Sequence, residues 1–318
     1  MIEHIKGWLG SKINGIGFII DIADFCPLSC PSCAVGSIGR RKGGYMSFDM
    51  FRRILDKAQK ECKVRRIQLY GYCDPCTHPD LHLFVQECTD RGLQSMLSTM
   101  LQTTKCDFQK VIEARPSEMR ISFPGWKRME YYQRGASPDR FDRKIEEVCA
   151  LLRHPETRWT LLYQLYNDNR NELPKARALA RKHDLSFVVL PAIFMPCEKM
   201  VEHNYSEQDQ ELISHLLETP EQTLQRLRFS TSYCLLWKQI TMDAEGEVYL
   251  CQLIYEDRFK LGMNYLTTPL KQMQKAIIRH PFCKPCMAMG AHAYQFLYAD
   301  FCKYEDPITV ANRRRFKQ

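Results

Sequence analysis

The chain has 318 residues, 45% of them apolar, which is ample for a large buried core. Lys and Arg number 45 against 37 Asp and Glu, a formal net charge of +8, which favours an anionic small molecule or nucleotide and equally fits a mildly basic surface. No stretch reaches the ~18 to 20 continuous apolar residues of a membrane span, and Glu3 and His4 interrupt the region where a signal peptide is apolar, so we predict a cytoplasmic protein with no membrane partner.

Six strand-like runs alternate with amphipathic helical patterns over about two thirds of the chain. The strand-like runs are residues 16–21, 66–71, 93–99, 118–123, 158–166 and 185–192. The clearest helix begins at Ser47, a favourable N-cap. The other helical patterns are residues 81–91, 106–114, 138–153 and 173–183. Short joins between these elements predict a parallel sheet of right-handed crossovers, with functional loops at the carboxyl ends of the strands.

The pattern changes after about residue 191. A helical segment at residues 206–218 leads to a predicted two-stranded hairpin at 238–252, which turns at Glu245 and Gly246. An amphipathic stretch and a CxxC pair follow. We predict an α/β protein in which residues 1–200 form a partial (β/α)6 barrel and residues 201–318 form a small α+β domain.

Fifteen cysteines argue against a disulfide framework, because cytosolic thiols stay reduced. They point to metal ligands, reactive thiols or small buried side chains. Four lie singly in or next to amphipathic helical patterns and are interpreted as filler: Cys62, Cys88, Cys106 and Cys149.

Three cysteines, here called the cluster-loop cysteines, follow the first strand directly. Cys26, Cys30 and Cys33 have the spacing CxxxCxxC. A structural zinc site would need four nitrogen or sulfur ligands. Three thiolates suit a cubane iron–sulfur cluster that keeps one iron open for an outside ligand.

This motif, after the first strand of a β/α chain, resembles that of the radical S-adenosylmethionine superfamily. The resemblance implies a [4Fe–4S] cluster whose open iron is chelated by the amino and carboxylate groups of S-adenosylmethionine. It implies reductive cleavage to a 5′-deoxyadenosyl radical that abstracts a hydrogen atom from substrate. It also implies an electron donor such as flavodoxin or ferredoxin.

Further stretches resemble motifs of that superfamily, with departures. After the second strand, Tyr72, Cys73, Asp74 and Pro75 stand where relatives often have Gly-Gly-Glu-Pro. The resemblance implies that Asp74 replaces the glutamate that holds the methionine amino group. Cys73 occupies a position where a glycine is expected to let the backbone approach the cofactor.

Three more residues match the superfamily at strand ends. Ser98 lies in "LSTM" after the third strand, where Met100 replaces the usual asparagine, and Ser122 lies in "ISFPG" at the fourth. The resemblance implies that Ser122 reaches the cofactor ribose or carboxylate, although both serines also fit as ordinary strand-end hydroxyls. Arg134 matches a recurrent Arg-Gly pair. Ser32 stands where relatives carry an aromatic residue over the adenine.

A second set, here called the tail-motif cysteines, comprises Cys234, Cys251, Cys283 and Cys286. Cys234 is followed by eleven residues, Gly246, four residues and Cys251, and the CxxC pair comes thirty-one residues later. Four thiolates suit Zn²⁺ or a fully ligated [4Fe–4S] cluster. The pattern resembles the shortened, or twitch, form of the SPASM auxiliary domain found in enzymes such as 2-deoxy-scyllo-inosamine dehydrogenase, which implies a second [4Fe–4S] cluster.

The resemblance implies hydrogen-atom abstraction from a polar small molecule, such as a sugar or aminocyclitol, that oxidises or epimerises a carbon. An epimerisation needs a thiol hydrogen-atom donor, for which Cys302 and Cys197 are the candidates. A peptide-modifying enzyme is the alternative within this chemistry. A non-catalytic zinc protein that binds nucleic acid through basic residues 40–42 and 313–315 is the disfavoured alternative of another class.

Overall fold

The computed structural model describes residues 15–37, 44–102, 105–151, 154–227 and 233–296. Within these ranges nine strands form one sheet, in the order β6-β5-β4-β3-β2-β1-β7-β8-β9. The strands are β1 (Ile16–Ile20), β2 (Val64–Gln68), β3 (Ser95–Thr99), β4 (Glu118–Phe123), β5 (Arg158–Leu165), β6 (Ser186–Pro191), β7 (Gln239–Met242), β8 (Glu247–Tyr249) and β9 (Lys260–Asn264). Strands β1 to β6 pair in parallel, which confirms the predicted α/β class.

Helices connect the parallel strands and continue after them. They are α1 (Ala34–Ser37), α2 (Phe48–Glu61), α3 (Leu81–Asp90), α4 (Phe108–Glu113), α5 (Met129–Tyr132), α6 (Pro138–Ala150), α7 (Leu173–Lys182), α8 (Cys197–Glu202), α9 (Glu207–Ser214), α10 (Pro220–Leu227), α11 (Leu270–Arg279) and α12 (Cys283–Met289). None of the helices in the described ranges is long and apolar enough to cross a membrane.

The first six strands neighbour one another in chain order. Because right-handed crossovers taken in one direction place every connecting helix on the same side, the helices cover one face of this sheet. The loops that follow the strands all leave from the same edge. Side chains that are far apart in sequence therefore meet at the carboxyl ends of β1 to β6.

Helix α2 shows how the sequence builds this layer. The Ser47 hydroxyl accepts a hydrogen bond from the Met50 N–H at 3.2 Å and caps the helix, as predicted. Phe51, Ile54 and Leu55 follow at helical spacing and are fully buried. Burying each such side chain contributes about 1.5 to 3 kcal/mol, which outweighs the gain from the cap.

The tail continues the same sheet. Strand β7 pairs in parallel with β1, with Phe18 opposite Ile240, and the Asp21 N–H donates to the Met242 carbonyl at 3.0 Å. The predicted hairpin of β7 and β8 is confirmed, and Gly246 in its turn has a φ of +78°, which favours glycine. Strand β9, absent from the sequence prediction, adds a third antiparallel strand. The strands of the tail therefore join the sheet next to β1, the strand that leads into the loop with Cys26, Cys30 and Cys33.

Candidate active site

The cluster-loop cysteines lie on a tight loop at the carboxyl end of β1. Cys26 and Cys30 are 4% and 9% exposed, and the Cys33 N–H donates to the Cys30 carbonyl at 3.1 Å. A Cβ at Gly36 would lie 2.0 Å from the Cys30 carbonyl oxygen. Glycine at this position of α1 therefore allows the helix to pack directly on the loop.

The electrostatics of this loop suit a metal cluster. Burial, with smaller contributions from the neighbouring Asp74 carboxylate and Cys33 thiolate, raises the pKa of Cys26 to about 12. Burial also raises the pKa of Cys30, and both neighbouring thiols add to the shift. Thiols in this environment become thiolates only when a cation compensates their charge. An iron–sulfur cluster bound by the three thiolates would supply that charge, so the residues fit the group.

Asp21 organises the second loop of the site. It directly follows β1, is 4% exposed, and its Oδ1 accepts from the backbone N–H groups of Gly71, Tyr72 and Cys73 at 2.8, 3.0 and 3.2 Å. A Cβ at Gly71 would lie 2.8 Å from Asp21 Oδ2, so the approach requires glycine. One buried carboxylate thus sets the path of the backbone after β2. Sequence reasoning missed Asp21, because a single aspartate at a strand end is not specific.

Asp74 lies beside this loop and is 6% exposed. Its Oδ1 accepts from the Cys76 N–H at 2.9 Å, and its Oδ2 accepts from the Thr99 hydroxyl at 2.8 Å and the Met100 N–H at 3.0 Å. Burial raises the pKa of Asp74, and these three hydrogen bonds oppose the rise. The Cys76 thiol adds a further hydrogen bond, and the carboxylate thus ties the loop after β2 to the end of β3.

The serines and arginine predicted at the strand ends lie at the same edge. Ser98 Oγ and Ser122 Oγ, on β3 and β4, are 3.3 Å apart and half-buried. The Arg134 side chain is exposed, while its carbonyl accepts from the Ser29 N–H of the cluster loop at 2.9 Å. A Cβ added at Gly135 would lie 3.6 Å from the Pro27 carbonyl oxygen. The Arg-Gly pair supports the cluster loop through its backbone.

Tyr72 connects this site to the tail. Its carbonyl oxygen lies 3.6 Å from the Cys33 Sγ, and its hydroxyl donates to the Ile254 carbonyl at 2.9 Å and approaches the Cys251 carbonyl at 3.3 Å. The ring packs edge-on against Tyr255, with 4.4 Å between ring centroids. Tyr72 thus contacts a cluster-loop cysteine with one end and the backbone of a tail-motif cysteine with the other.

The four tail-motif cysteines line one pocket with apolar walls, and Cys197 lines the same pocket. Burial, with smaller contributions from other thiols of the pocket, raises the pKa of Cys234 to about 11 and that of Cys286 to about 12. As at the cluster loop, clustered neutral thiols in an apolar pocket suit an iron–sulfur centre. Within the described ranges, no three His, Cys, Asp or Glu side chains form a ready-made site for a single metal ion.

Two residues that sequence reasoning missed shape this pocket. The Trp237 indole faces Cys283, and its N–H lowers the pKa of that thiol, which burial raises. Glu198 is fully buried, and its Oε1 accepts from the Tyr255 and Glu256 N–H groups at 2.7 and 2.9 Å. Neither belongs to a spacing pattern, so only the fold reveals them.

Other predicted residues fall elsewhere. Cys197, a candidate hydrogen-atom donor, is fully buried in the tail pocket. Cys302 and the basic residues 40–42 and 313–315 lie outside the described residues. Of the cysteines interpreted as filler, Cys88 is fully buried in α3.

Neither the protein-family models nor the curated proteins include a match to this chain. Solved structures do match. Streptococcus suis SuiB bound to the precursor peptide SuiA has 12% identity and a TM-score of 0.56 over 92% of this chain and 70% of SuiB. SuiB bound to S-adenosylmethionine has 13% identity and a TM-score of 0.54, over 92% of this chain and 71% of SuiB. The structure of anSMEcpe with bound S-adenosylmethionine has 12% identity and a TM-score of 0.51 over 91% of this chain and 99% of that chain.

Two of these structures hold S-adenosylmethionine and one holds a precursor peptide. At such low identity the likeness concerns the fold. The chain therefore shares with these structures a mixed α/β fold with a mostly parallel sheet.

Proposed function

We propose that this protein is a radical S-adenosylmethionine enzyme. The observation that carries the proposal is the placement of buried Cys26 and Cys30 and half-buried Cys33 as neighbours on the loop after β1. In this fold that loop lies at the carboxyl edge of the sheet, where cofactors of α/β proteins bind. The fold shared with S-adenosylmethionine-bound SuiB and anSMEcpe supports the proposal.

In this proposal the three cluster-loop thiolates hold a [4Fe–4S] cluster and leave one iron open. With S-adenosylmethionine on that iron, the cluster supplies reductive cleavage to a 5′-deoxyadenosyl radical. In the proposal the backbone from Tyr72 to Cys73, held by Asp21, lines the cofactor, and the Asp74 carboxylate attracts its ammonium group. Ser98, Ser122 and Arg134 complete the cofactor site. Flavodoxin or ferredoxin is the expected electron donor.

We further propose that the tail pocket holds a second [4Fe–4S] cluster of the twitch type. Five thiols in an apolar pocket provide more than the four thiolates that such a cluster needs. The twitch assignment makes residues 201–318 an auxiliary domain, and zinc is the alternative metal.

For the reaction, we propose oxidation or epimerisation of a carbon in a polar, anionic small molecule in the cytoplasm. The net charge of +8 supports an anionic substrate. Peptide modification is the second candidate, because SuiB, with the same fold, binds the precursor peptide SuiA. The position of Cys197 among the tail thiols favours Cys302 as the hydrogen-atom donor if a carbon is inverted.

The test is replacement of all three cluster-loop cysteines by alanine, after anaerobic purification. The variant should keep only the auxiliary iron and lose reductive formation of 5′-deoxyadenosine. Cys88→Ala, a change of a fully buried cysteine in α3, is the matched control and should keep both. Retained cleavage of S-adenosylmethionine by the triple variant would refute the proposal. Zinc without iron in the wild-type protein would instead favour the alternative of a zinc protein that binds nucleic acid. Deuterated candidate substrates, with transfer of label into 5′-deoxyadenosine, then identify the substrate class.

A further inference from the structure

The tail pocket contains one thiol more than a single cubane cluster uses. Cys197, Cys234, Cys251, Cys283 and Cys286 all line it. A fully ligated [4Fe–4S] cluster takes four cysteine thiolates. The fifth thiol comes from Cys197 at the start of α8, the helix that follows β6, and spacing alone does not connect it to the others.

Cys197 is fixed in this position from two sides. Its N–H donates to the Leu253 carbonyl at 2.9 Å, two residues beyond Cys251. The next residue, Glu198, accepts from the Tyr255 and Glu256 N–H groups. These contacts hold the start of α8 against the loop that carries Cys251. The Cys197 side chain is fully buried there, so its thiol belongs to the pocket.

Cys197 and Cys283 approach the pocket from different surroundings. Cys197 belongs to the apolar cluster that also contains Cys234 and Cys286, whereas Cys283 packs against the main core. The Cys283 thiol donates to the Ile277 carbonyl at 3.4 Å, on the α11 side. Burial raises the pKa of Cys197, and the thiolates of Cys286, Cys251 and Cys234 raise it further. The same three thiols are neighbours of Cys283.

We propose that Cys234, Cys251 and Cys286 form a common base and that the fourth ligand position can be filled by Cys283 or by Cys197. The inference rests on the auxiliary cluster of the proposed function. Exchange breaks the bond between iron and the Cys283 sulfur and forms one to the Cys197 sulfur. The proton leaving the Cys197 thiol is taken up by the Cys283 thiolate, so the exchange needs no oxidant or reductant. The auxiliary cluster thereby has two ligand sets.

The experiment uses the full chain with all three cluster-loop cysteines changed to alanine, so that only auxiliary iron is counted. Cys197→Ala, Cys283→Ala, the double variant and Cys286→Ala are prepared anaerobically in this background, with Cys88→Ala as the buried control. We expect about four irons and four sulfides per chain in the control and in both single variants at positions 197 and 283. We expect their loss in the double variant and in Cys286→Ala. Electron paramagnetic resonance of the reduced cluster should differ between the two single variants, because the fourth ligand differs.

Loss of iron from Cys283→Ala alone, or from Cys197→Ala alone, would overturn the inference, because one thiol would then be obligatory. Retained iron in the double variant would overturn it as well. Circular dichroism verifies folding, and Cys197→Ser replaces Cys197→Ala if the alanine variant does not fold. Absence of iron from the parent background itself would instead refute the auxiliary cluster, and with it the proposed function of the tail.

Discussion

Removal of the Asp21 carboxylate should destabilise the loop after β2 more than any other single change at the cofactor edge. In Asp21→Ala, the N–H groups of Gly71, Tyr72 and Cys73 lose their common acceptor. Tyr72 and Cys73 are buried at 9% exposure each, so water has little access to these donors. The change therefore acts on buried backbone groups and leaves the hydrophobic core intact.

The magnitude follows from the number of donors. A buried donor left unsatisfied costs about 1 to 3 kcal/mol, so the two buried donors of Tyr72 and Cys73, together with the half-buried N–H of Gly71, give a loss of about 3 kcal/mol in the free energy of unfolding. Asp21→Asn keeps one carbonyl oxygen for the same three donors and removes the charge. Because charge-assisted hydrogen bonds are roughly twice as strong as neutral ones, this variant should lose about half as much.

The assay is urea unfolding of the apoprotein, followed by circular dichroism, together with S-adenosylmethionine binding to the reconstituted protein. With a urea m-value of about 3 kcal/mol/M, Asp21→Ala should lower the midpoint by about 1 M, and cofactor binding should weaken in both variants. Asp139→Asn is the control, since Asp139 is exposed in the first turn of α6 and should change stability by less than about 1 kcal/mol. An Asp21→Ala protein as stable as this control would refute the reasoning.

Three further predictions concern the cofactor contact and the tail. Asp74→Asn removes the negative charge that we propose contacts the cofactor ammonium group. Such a contact contributes roughly 1.5 to 3 kcal/mol, so equilibrium binding of S-adenosylmethionine should weaken at least ~10-fold. Unchanged binding would mean that Asp74 only supports the loop. Tyr72→Phe removes the hydroxyl between the two loops and should lower the free energy of unfolding by about 1 to 3 kcal/mol, whereas Tyr45→Phe, at a 41% exposed residue, should not. Replacement of all four tail-motif cysteines by alanine should remove about four irons per chain. It should also abolish substrate conversion, while slow cleavage of the cofactor remains. An unchanged iron content would reject the auxiliary cluster.

A fifth prediction concerns the reduction potential of the proposed auxiliary cluster. Trp237→Phe keeps an aromatic ring but removes the buried indole N–H beside Cys283. Hydrogen bonds to cluster sulfurs stabilise the reduced, more negative state, so the potential should become more negative, as measured by redox titration with paramagnetic resonance. An unchanged potential would place the indole N–H outside the electrostatic environment of the cluster.

Local sequence patterns predicted the parallel strands because each carries buried apolar side chains next to a turn or helix signal. β4 begins and ends at the predicted residues 118 and 123. The second strand was predicted at residues 66–71, whereas β2 is Val64–Gln68. Gly71 lies in the loop that follows, where its N–H donates to the Asp21 carboxylate. The end of this strand thus depends on a carboxylate fifty residues away in the sequence, and a local sequence pattern carries no information about it.

The tail shows the same limit. The C-x11-G-x4-C spacing predicted the hairpin correctly, because a glycine turn between two short strands is a local feature. The pairing of β7 with β1 was not predictable, since strands β2 to β6 lie between the two partners in the sequence and register across such a distance is set by topology. Cys197 joins the tail pocket for the same reason: it follows β6, and the fold brings that strand end beside Cys251.

The loop from Cys251 to Glu256 connects the two proposed cluster sites without belonging to a helix or strand of the sheet. Its carbonyl groups at Cys251 and Ile254 face the Tyr72 hydroxyl, and its N–H groups at 255 and 256 are held by Glu198. Tyr72 is in turn held by Asp21 through its own N–H. A displacement of the loop after β2 must therefore either break these buried hydrogen bonds, at a cost of about 1 to 3 kcal/mol for each group left unpaired, or move Cys251 with it. Because the first alternative is costly, we expect the position of the loop after β2 and that of Cys251 to be coupled through Tyr72.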